Sequence, residues 1–545
     1  MFDNNYSKFF LLPILGLTLC SLLLLLPFNN LQFIIFAAFP LLLIGGGLMA
    51  KRKVLIEIKF IDLFWVGFIV FGFLSFFWAT NPALVWYRGF CFIGLLFISL
   101  IFRDLIKYPL IRKFFPVLMS ALFLIIFVQH LMAVHFELSF LDSSWNSFLS
   151  RNSNVTTCYL VSLFPFLLFR QSKNKFYRFV KILSAILILN ILFLANVKVV
   201  ILSFLLIMLY YFWSNQRKLL FVLFAMAVFG LIIVNGFFSY DELMAKYFSN
   251  IYKPDDFSRL SLVELSKELI LKNPIIGAGQ GNWITEVYNT NISEVSSLNN
   301  SDNFNRLHSH NIYLKIAGEL GLVGLILFIA PFVITLYRGI KRVATFDYLD
   351  KASFATVVSY LMISAYYGGI NLYEYNFSGV EVLAFICVGI LSRRLFDKRV
   401  AVNYFYLLPV VLLTIFWFAY SALSWHSIHT VLHHKKDVNA IDKAKSLEDC
   451  YNPVFLNTYG FNSSLDQALA EQYADAGDKD KAILHYEKMY KLSPSNCDGL
   501  LSYSQFLIRE KLDVVKAKKL LKEIVAIQNT HAETNQLLEN LENLN

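Results

Sequence analysis

Charge is what this chain has least of. Asp, Glu, Lys and Arg make up 16% of its 545 residues, where a soluble domain carries about 25%. Apolar residues reach 57%, with 54 Phe. So apolar a chain has too little polar surface to cover a water-soluble core, and it is too hydrophobic to stay disordered, which excludes a cytosolic globular enzyme and a disordered protein. Cysteine is sparse as well, six in all, which is no disulfide framework. Cys20, Cys91, Cys158 and Cys387 fall in or beside apolar runs, whereas Cys450 and Cys497 lie in a polar tail and can pair only if that tail sits in an oxidising compartment. The net charge of +10 does not point to nucleic acid, because about half of the 48 Lys and Arg lie in short loops between apolar runs.

A polytopic membrane protein remains. Thirteen apolar runs can cross about 30 Å of hydrocarbon: 9–28, 30–50, 60–79, 83–102, 114–134, 154–170, 179–195, 197–213, 219–238, 312–337, 352–371, 378–396 and 402–424. The first has no small-residue cleavage site and a second follows at once, so it reads as a retained span and not a signal peptide. Loops after the even-numbered spans hold 23 Lys and Arg, from Lys51 to Arg399, while the short loops opposite hold only Arg88, Arg151 and Lys198. That asymmetry predicts a cytoplasmic N-terminus, an odd number of spans, and two larger polar pieces outside: the loop 239–311 and the tail 425–545.

The tail reads as a separate helical domain. Residues 463–496 fit a tetratricopeptide unit of about 34 residues, with Leu469, Ala470, Tyr473, Ala482, Tyr486 and Pro494 at its packing positions. A degenerate second unit follows from 497, carried by Leu500, Tyr503, Leu507, Ala517, Leu521 and Ile524. Stacked helix pairs of this kind offer a concave surface to a partner; a plain helical hairpin without a ligand fits the same spacing.

Chemistry concentrates between 255 and 325. Arg259 opens an amphipathic helix on which Leu262, Val263, Leu265, Ile270 and Leu271 can face the membrane domain. An arginine in a first helical turn opposes the macrodipole; a phosphate or pyrophosphate site would give it a purpose, and a surface pairing with Asp255 or Asp256 is the alternative. The segment Asn273-Pro274-Ile-Ile-Gly277-Ala-Gly279-Gln-Gly281 follows a helix and has no GK[ST], so it reads as a tight turn and not a nucleotide loop. His308 and His310 precede the tenth span, separated from it by Asn311. A histidine there can take a proton or hold an anion near neutral pH, or be inert; at i and i+2 the two share no helix face, so no metal site is expected. Lys198, Arg88, Arg151, Arg259 and Arg306 make the outer face cationic, a seat for an anionic head group, with Arg88 read as ordinary snorkelling.

NPIIGAGQGNW followed by HSHNIYLKIAGELGLVGLILF resembles the signature region of the O-antigen ligase, O-antigen polymerase and PglL-type O-oligosaccharyltransferase superfamily, including its E-x-G-x-x-G element. The stretches SFFWATNPALVWYRG (75–89) and RNSNVTTCYLVSLFPF (151–166) are similar to its first and third outer loops. The likeness covers roughly 60–395. It implies an all-α, GT-C-like membrane fold over 1–424, with the tetratricopeptide-like domain over 425–545 on the periplasmic side of the bacterial inner membrane. It implies transfer of a glycan from undecaprenyl diphosphate to an acceptor hydroxyl, on lipid A–core or on Ser/Thr of a protein, without cofactor or metal. His310 then matches the family's essential histidine and Arg259 its pyrophosphate-contacting arginine, with Arg151 beside it and Asn311 orienting the loop. Lys198 stands where many members carry the Arg of an S-R-G motif, keeping the charge but losing the bidentate fork. A Wzy-type polymerase is the alternative within the superfamily. Outside it stands a transporter or assembly scaffold, against which no inverted sequence duplication is found. Membrane lipids and, through the repeats, a protein partner are expected; nucleic acid is not.

Overall fold

The computed structural model describes residues 55–135, 153–194, 198–214, 259–288, 309, 311–365, 379–397, 399–403, 463–492, 497–527 and 532–543, with isolated positions between 409 and 442. Spans expected at 9–28, 30–50 and 219–238 lie outside the described residues, as do His310 and Arg151. The chain is mostly helical and divides into two compact units: Met1–Gly67, Ile93–Pro254 and Leu327–Ile415; and Phe68–Phe92, Asp255–Ile326 and Phe416–Asn545.

In chain order the elements begin with β1 (Leu55–Lys59), α1 (Asp62–Leu74), α2 (Pro82–Leu105), α3 (Pro109–His135), α4 (Ser153–Phe169), α5 (Lys175–Leu194) and α6 (Lys198–Ser214). They continue with α7 (Arg259–Lys272), α8 (Trp283–Tyr288), α9 (Ile312–Arg342), α10 (Tyr348–Ser364), α11 (Gly379–Leu395) and β2 (Arg399–Asn403). The tail supplies α12 (Ser463–Asp475), α13 (Lys479–Leu492), α14 (Cys497–Arg509), α15 (Val514–Ile527) and α16 (Ala532–Asn543).

Three apolar helices among the described residues are long enough to cross a bilayer: Leu84–Leu105, Pro109–Val128 and Ile312–Thr345. Asp62–Phe77, Thr156–Phe169 and Val199–Ser214 are apolar but shorter. The expected span at 402–424 starts differently, because Arg399–Asn403 pairs antiparallel with Leu55–Lys59, Leu55 opposite Asn403 and Lys59 opposite Arg399. Strand formation at 402 and 403 removes those residues from any helix, and the two-stranded ribbon is a departure from an all-helical chain that the hydropathy pattern does not reveal.

In the first unit, α4 packs against α3, α5, α6, α10 and α11. Its residues from Thr156 to Phe169 are all buried, as a helix apolar on every side requires. Small residues bring helices close: Thr356 on α10 donates from Oγ1 to the Ser162 carbonyl at 3.0 Å, and a Cβ on Gly389 would overlap the Ser99 carbonyl. Trp65 stacks on Phe385 with centroids 4.4 Å apart. Along α5 the stripe Phe176, Phe179, Ile182 and Ile186 is exposed, Phe176 by 71%, an apolar face left uncovered among the described residues.

Cations from the loops assigned to one side of the membrane meet in this unit. Lys59 donates from Nζ to the Phe396 carbonyl at 2.7 Å and Arg338 to that of Leu395 at 3.1 Å, while Arg342 reaches that of Arg394 at 2.9 Å. Together they satisfy the free carbonyls and negative dipole end of α11. Arg103 holds Asp62 through two bonds of 2.6 Å, both side chains buried; Arg394 pairs with Asp350 and Arg112 with Asp347. Residues of the segments 51–59, 103–113, 338–351 and 393–399 are thus joined by direct contact.

In the tail, α12 packs against α13 and α14 against α15. Leu469, Ala470, Tyr473, Ala482 and Tyr486 are buried, and so are Leu500, Tyr503, Leu507, Ala517, Leu521 and Ile524. Pro494 and Cys450 lie outside the described residues. Cys497, the first described residue of α14, is buried.

Candidate functional site

The candidate site lies in the second unit, where three separate segments meet: the end of α1 and start of α2, the turn after α7, and the first turns of α9. Asn273-Pro274 stops α7, since proline cannot continue a helix. Gly277, Gly279 and Gly281 then take φ of 68°, 106° and 80°, the left-handed region that favours glycine. The turn lies directly on α9. Ala278 donates its backbone N–H to the Gly318 carbonyl at 3.0 Å and Gly279 to that of Glu319 at 2.7 Å. In return Leu322 donates to the Pro274 carbonyl at 2.9 Å and Val323 to that of Ile275 at 3.3 Å. These last two bonds exist because α9 breaks at Gly321, with φ 63° and ψ −165°. A Cβ on Gly321 would overlap the Ile275 carbonyl, and one on Gly277 the Glu319 backbone. The sequence reading of this segment as a tight structural turn is what the backbone shows.

Glu319, 0% exposed, closes the arrangement. Its carboxylate accepts the backbone N–H of Gly281 at 2.9 Å on Oε2 and that of Trp283 at 3.3 Å on Oε1. The indole of Trp283 donates from Nε1 to Ser266 Oγ on α7 at 3.2 Å. Two buried cations lie near: Lys315, 4% exposed, sits over the Trp283 ring at 5.8 Å, and Arg88, 4% exposed, packs where Gly281 leaves no room for a Cβ.

The loop after α1 is pinned to the same turn. Gln280 donates its N–H to Ser75 Oγ at 2.9 Å. Asn282 imitates a paired strand, taking the Asn81 N–H on Oδ1 at 2.6 Å and giving Nδ2 to the Asn81 carbonyl at 3.1 Å. Thr80 bonds to Glu286, and Ala79 fills the space that a side chain on Gly279 would need.

Asn311 begins α9. Its Oδ1 accepts the backbone N–H groups of Tyr313 at 2.9 Å and Leu314 at 3.1 Å, the bonding of an N-cap. Arg259 is the first described residue of α7, and its side chain lies outside the described ones. Lys198 is the first described residue of α6, in the other unit. Arg259 and Asn311 share one unit; His310 and Arg151 are not described.

Two readings of side chains are corrected. On α7 the buried positions are Leu265, Ser266 and Leu269, whereas Val263 and Leu271 are exposed. The packing stripe follows i, i+4 from Leu265 because Leu269 and Trp283 close on Gly318. Arg88 does not snorkel; it is buried beside the turn. Glu319 and Lys315 were the residues to notice, two charges at i and i+4 inside an otherwise apolar run, where charge is costly and usually functional. Among the described residues no cluster of metal-ligating side chains occurs.

No curated protein matches the chain. Residues 183–329 match the family described as O-antigen ligase. That stretch holds Lys198, Arg259, His310, Asn311 and Glu319, while Arg151 precedes it. That stretch, with its turn locked onto the E-x-G-x-x-G segment of α9, carries the likeness to the O-antigen ligase superfamily.

Proposed function

We propose that the protein is a membrane glycosyltransferase that moves a glycan from undecaprenyl diphosphate to an acceptor hydroxyl on the periplasmic face of the bacterial inner membrane. The observation that carries this reading is the O-antigen ligase match over 183–329. In the reaction the acceptor oxygen attacks the anomeric carbon, the bond from that carbon to the phosphate oxygen breaks, and the acceptor proton leaves. The electron pair goes to the diphosphate, whose growing charge needs cations. Arg259, Lys198 and Arg151 are assigned to that charge, and His310 to the acceptor proton.

The acceptor is lipid A–core or Ser/Thr of a protein. Residues 1–424 form the transferase domain in this reading, with the N-terminus cytoplasmic. Residues 425–545 form a periplasmic tetratricopeptide-like domain that engages a protein partner, supported by the buried positions of α12 to α15. Arg259→Ala and His310→Ala should each abolish glycan transfer while the chain inserts into the membrane normally; wild-type transfer by either would remove that residue from the site. Product length separates a ligase from a Wzy-type polymerase, which would show as loss of chain extension rather than of attachment.

A further inference from the structure

We infer that Glu319 is a positioning residue for the donor site, acting on Arg259 through the turn and α7; the inference rests on the role proposed for Arg259. A carboxylate buried in an apolar helix is costly unless it is fully engaged. Glu319 is engaged by two backbone N–H groups of a segment 36 and 38 residues away in sequence. Those N–H groups belong to Gly281 and Trp283, at the start of α8.

From there the connection runs to α7. The Trp283 indole binds Ser266, and Leu269 and Trp283 both lie against Gly318, one residue before the carboxylate. Arg259 stands two helical turns before Ser266, at i−7, and so on the same side of α7. Asn311 stands two turns before Gly318 on α9. One carboxylate therefore fixes the helix that Arg259 opens relative to the helix that follows His310. A transfer site that sets a diphosphate cation at one helix and the acceptor-proton residue at another tolerates little change in their spacing.

An amide would lose one of the carboxylate's two contacts: Gln in place of Glu319 can accept only one of the two N–H groups, turning an NH₂ toward the other.

The test uses the full-length chain in phospholipid–detergent micelles, with Glu319→Gln, Arg259→Ala and the double variant. Equilibrium binding of undecaprenyl diphosphate and amide hydrogen exchange over 259–283 are read together. Glu319→Gln should speed exchange over 259–283, leave 153–169 unchanged, and weaken binding about tenfold. The double variant should bind no more weakly than Arg259→Ala alone, because residues acting through one another are not additive. Additive losses, or exchange that does not change, overturn the inference and leave the site reading standing. If Arg259→Ala binds like wild type, the site reading itself fails, and the inference with it. Should Glu319→Gln not accumulate in the membrane, Ser266→Ala cuts the same connection without touching the carboxylate and carries the same expected pattern, with a smaller loss.

Discussion

Burial decides the chemistry of several single residues. The Cys497 thiol, enclosed at the start of α14, is pushed up to about 12, mainly by burial and further by the neighbouring Asp498. Such a thiol stays protonated and unreactive. Maleimide should leave Cys497 unlabelled in the folded chain and label it after denaturation; intact mass measurement distinguishes the two. Glu487 shows the opposite balance. Burial pushes its carboxyl upward, but hydrogen bonds from Lys516 and Tyr503 outweigh it and hold the group below its ordinary value of 4.5. A carboxyl depressed in the folded state adds stability that is complete above the unfolded value and fades as pH falls through the folded one. Protease cleavage within 479–527 should therefore rise as the full chain is taken from about pH 7 to about pH 4, with a flatter response in Glu487→Gln, which already lacks the ionised partner at neutral pH. Replacing Asn311 by Ala removes a cap accepting two N–H groups and should cost about 1 kcal/mol, read as a lower midpoint of thermal unfolding.

Helices and turns show where the sequence was legible and where it was not. The helical stretch that follows Arg259 and its stop at Asn273-Pro274 follow from local signals, and the structure has them where the spacing puts them. The face of α7 was misjudged because hydropathy alone cannot tell that Leu269 and Trp283 close on Gly318, a contact between segments far apart in sequence. The β1–β2 ribbon was invisible for the same reason: each strand has five residues and gains its pairing only across the fold. Glu319 was quoted within its motif but given no role, since its partners are backbone N–H groups that carry no sequence signal. At this scale Gly321→Ala should be among the most disruptive single changes in the second unit, its Cβ falling on the Ile275 carbonyl. Expected is loss of the turn and of any activity, with faster exchange over 274–283. In the first unit, Arg103→Met strands the buried Asp62 and should cost about 3–5 kcal/mol, whereas Arg103→Met combined with Asp62→Leu should recover most of that loss; thermal unfolding of the two variants checks the difference.

For the whole molecule, the class was legible from composition and charge asymmetry, because a bilayer imposes its constraints on every span at once. Lys59, Arg338 and Arg342 meet the carbonyls at the end of α11, and Arg394 and Arg112 pair with Asp350 and Asp347 in the same unit. A topology reporter fused at Asn545 should read as periplasmic and one fused after Arg342 as cytoplasmic; equal readings at both positions would break the proposed arrangement of spans. The central claim is glycan transfer by an O-antigen ligase-family site, and the most direct measurement compares the deletion strain complemented with wild type or with His310→Ala. Surface lipopolysaccharide and periplasmic glycoproteins are probed side by side. The account predicts that one of the two loses its glycan in the deletion, and that wild type but not His310→Ala restores it; the one affected names the acceptor. Full glycosylation of both without the protein, or restoration by His310→Ala, would contradict it.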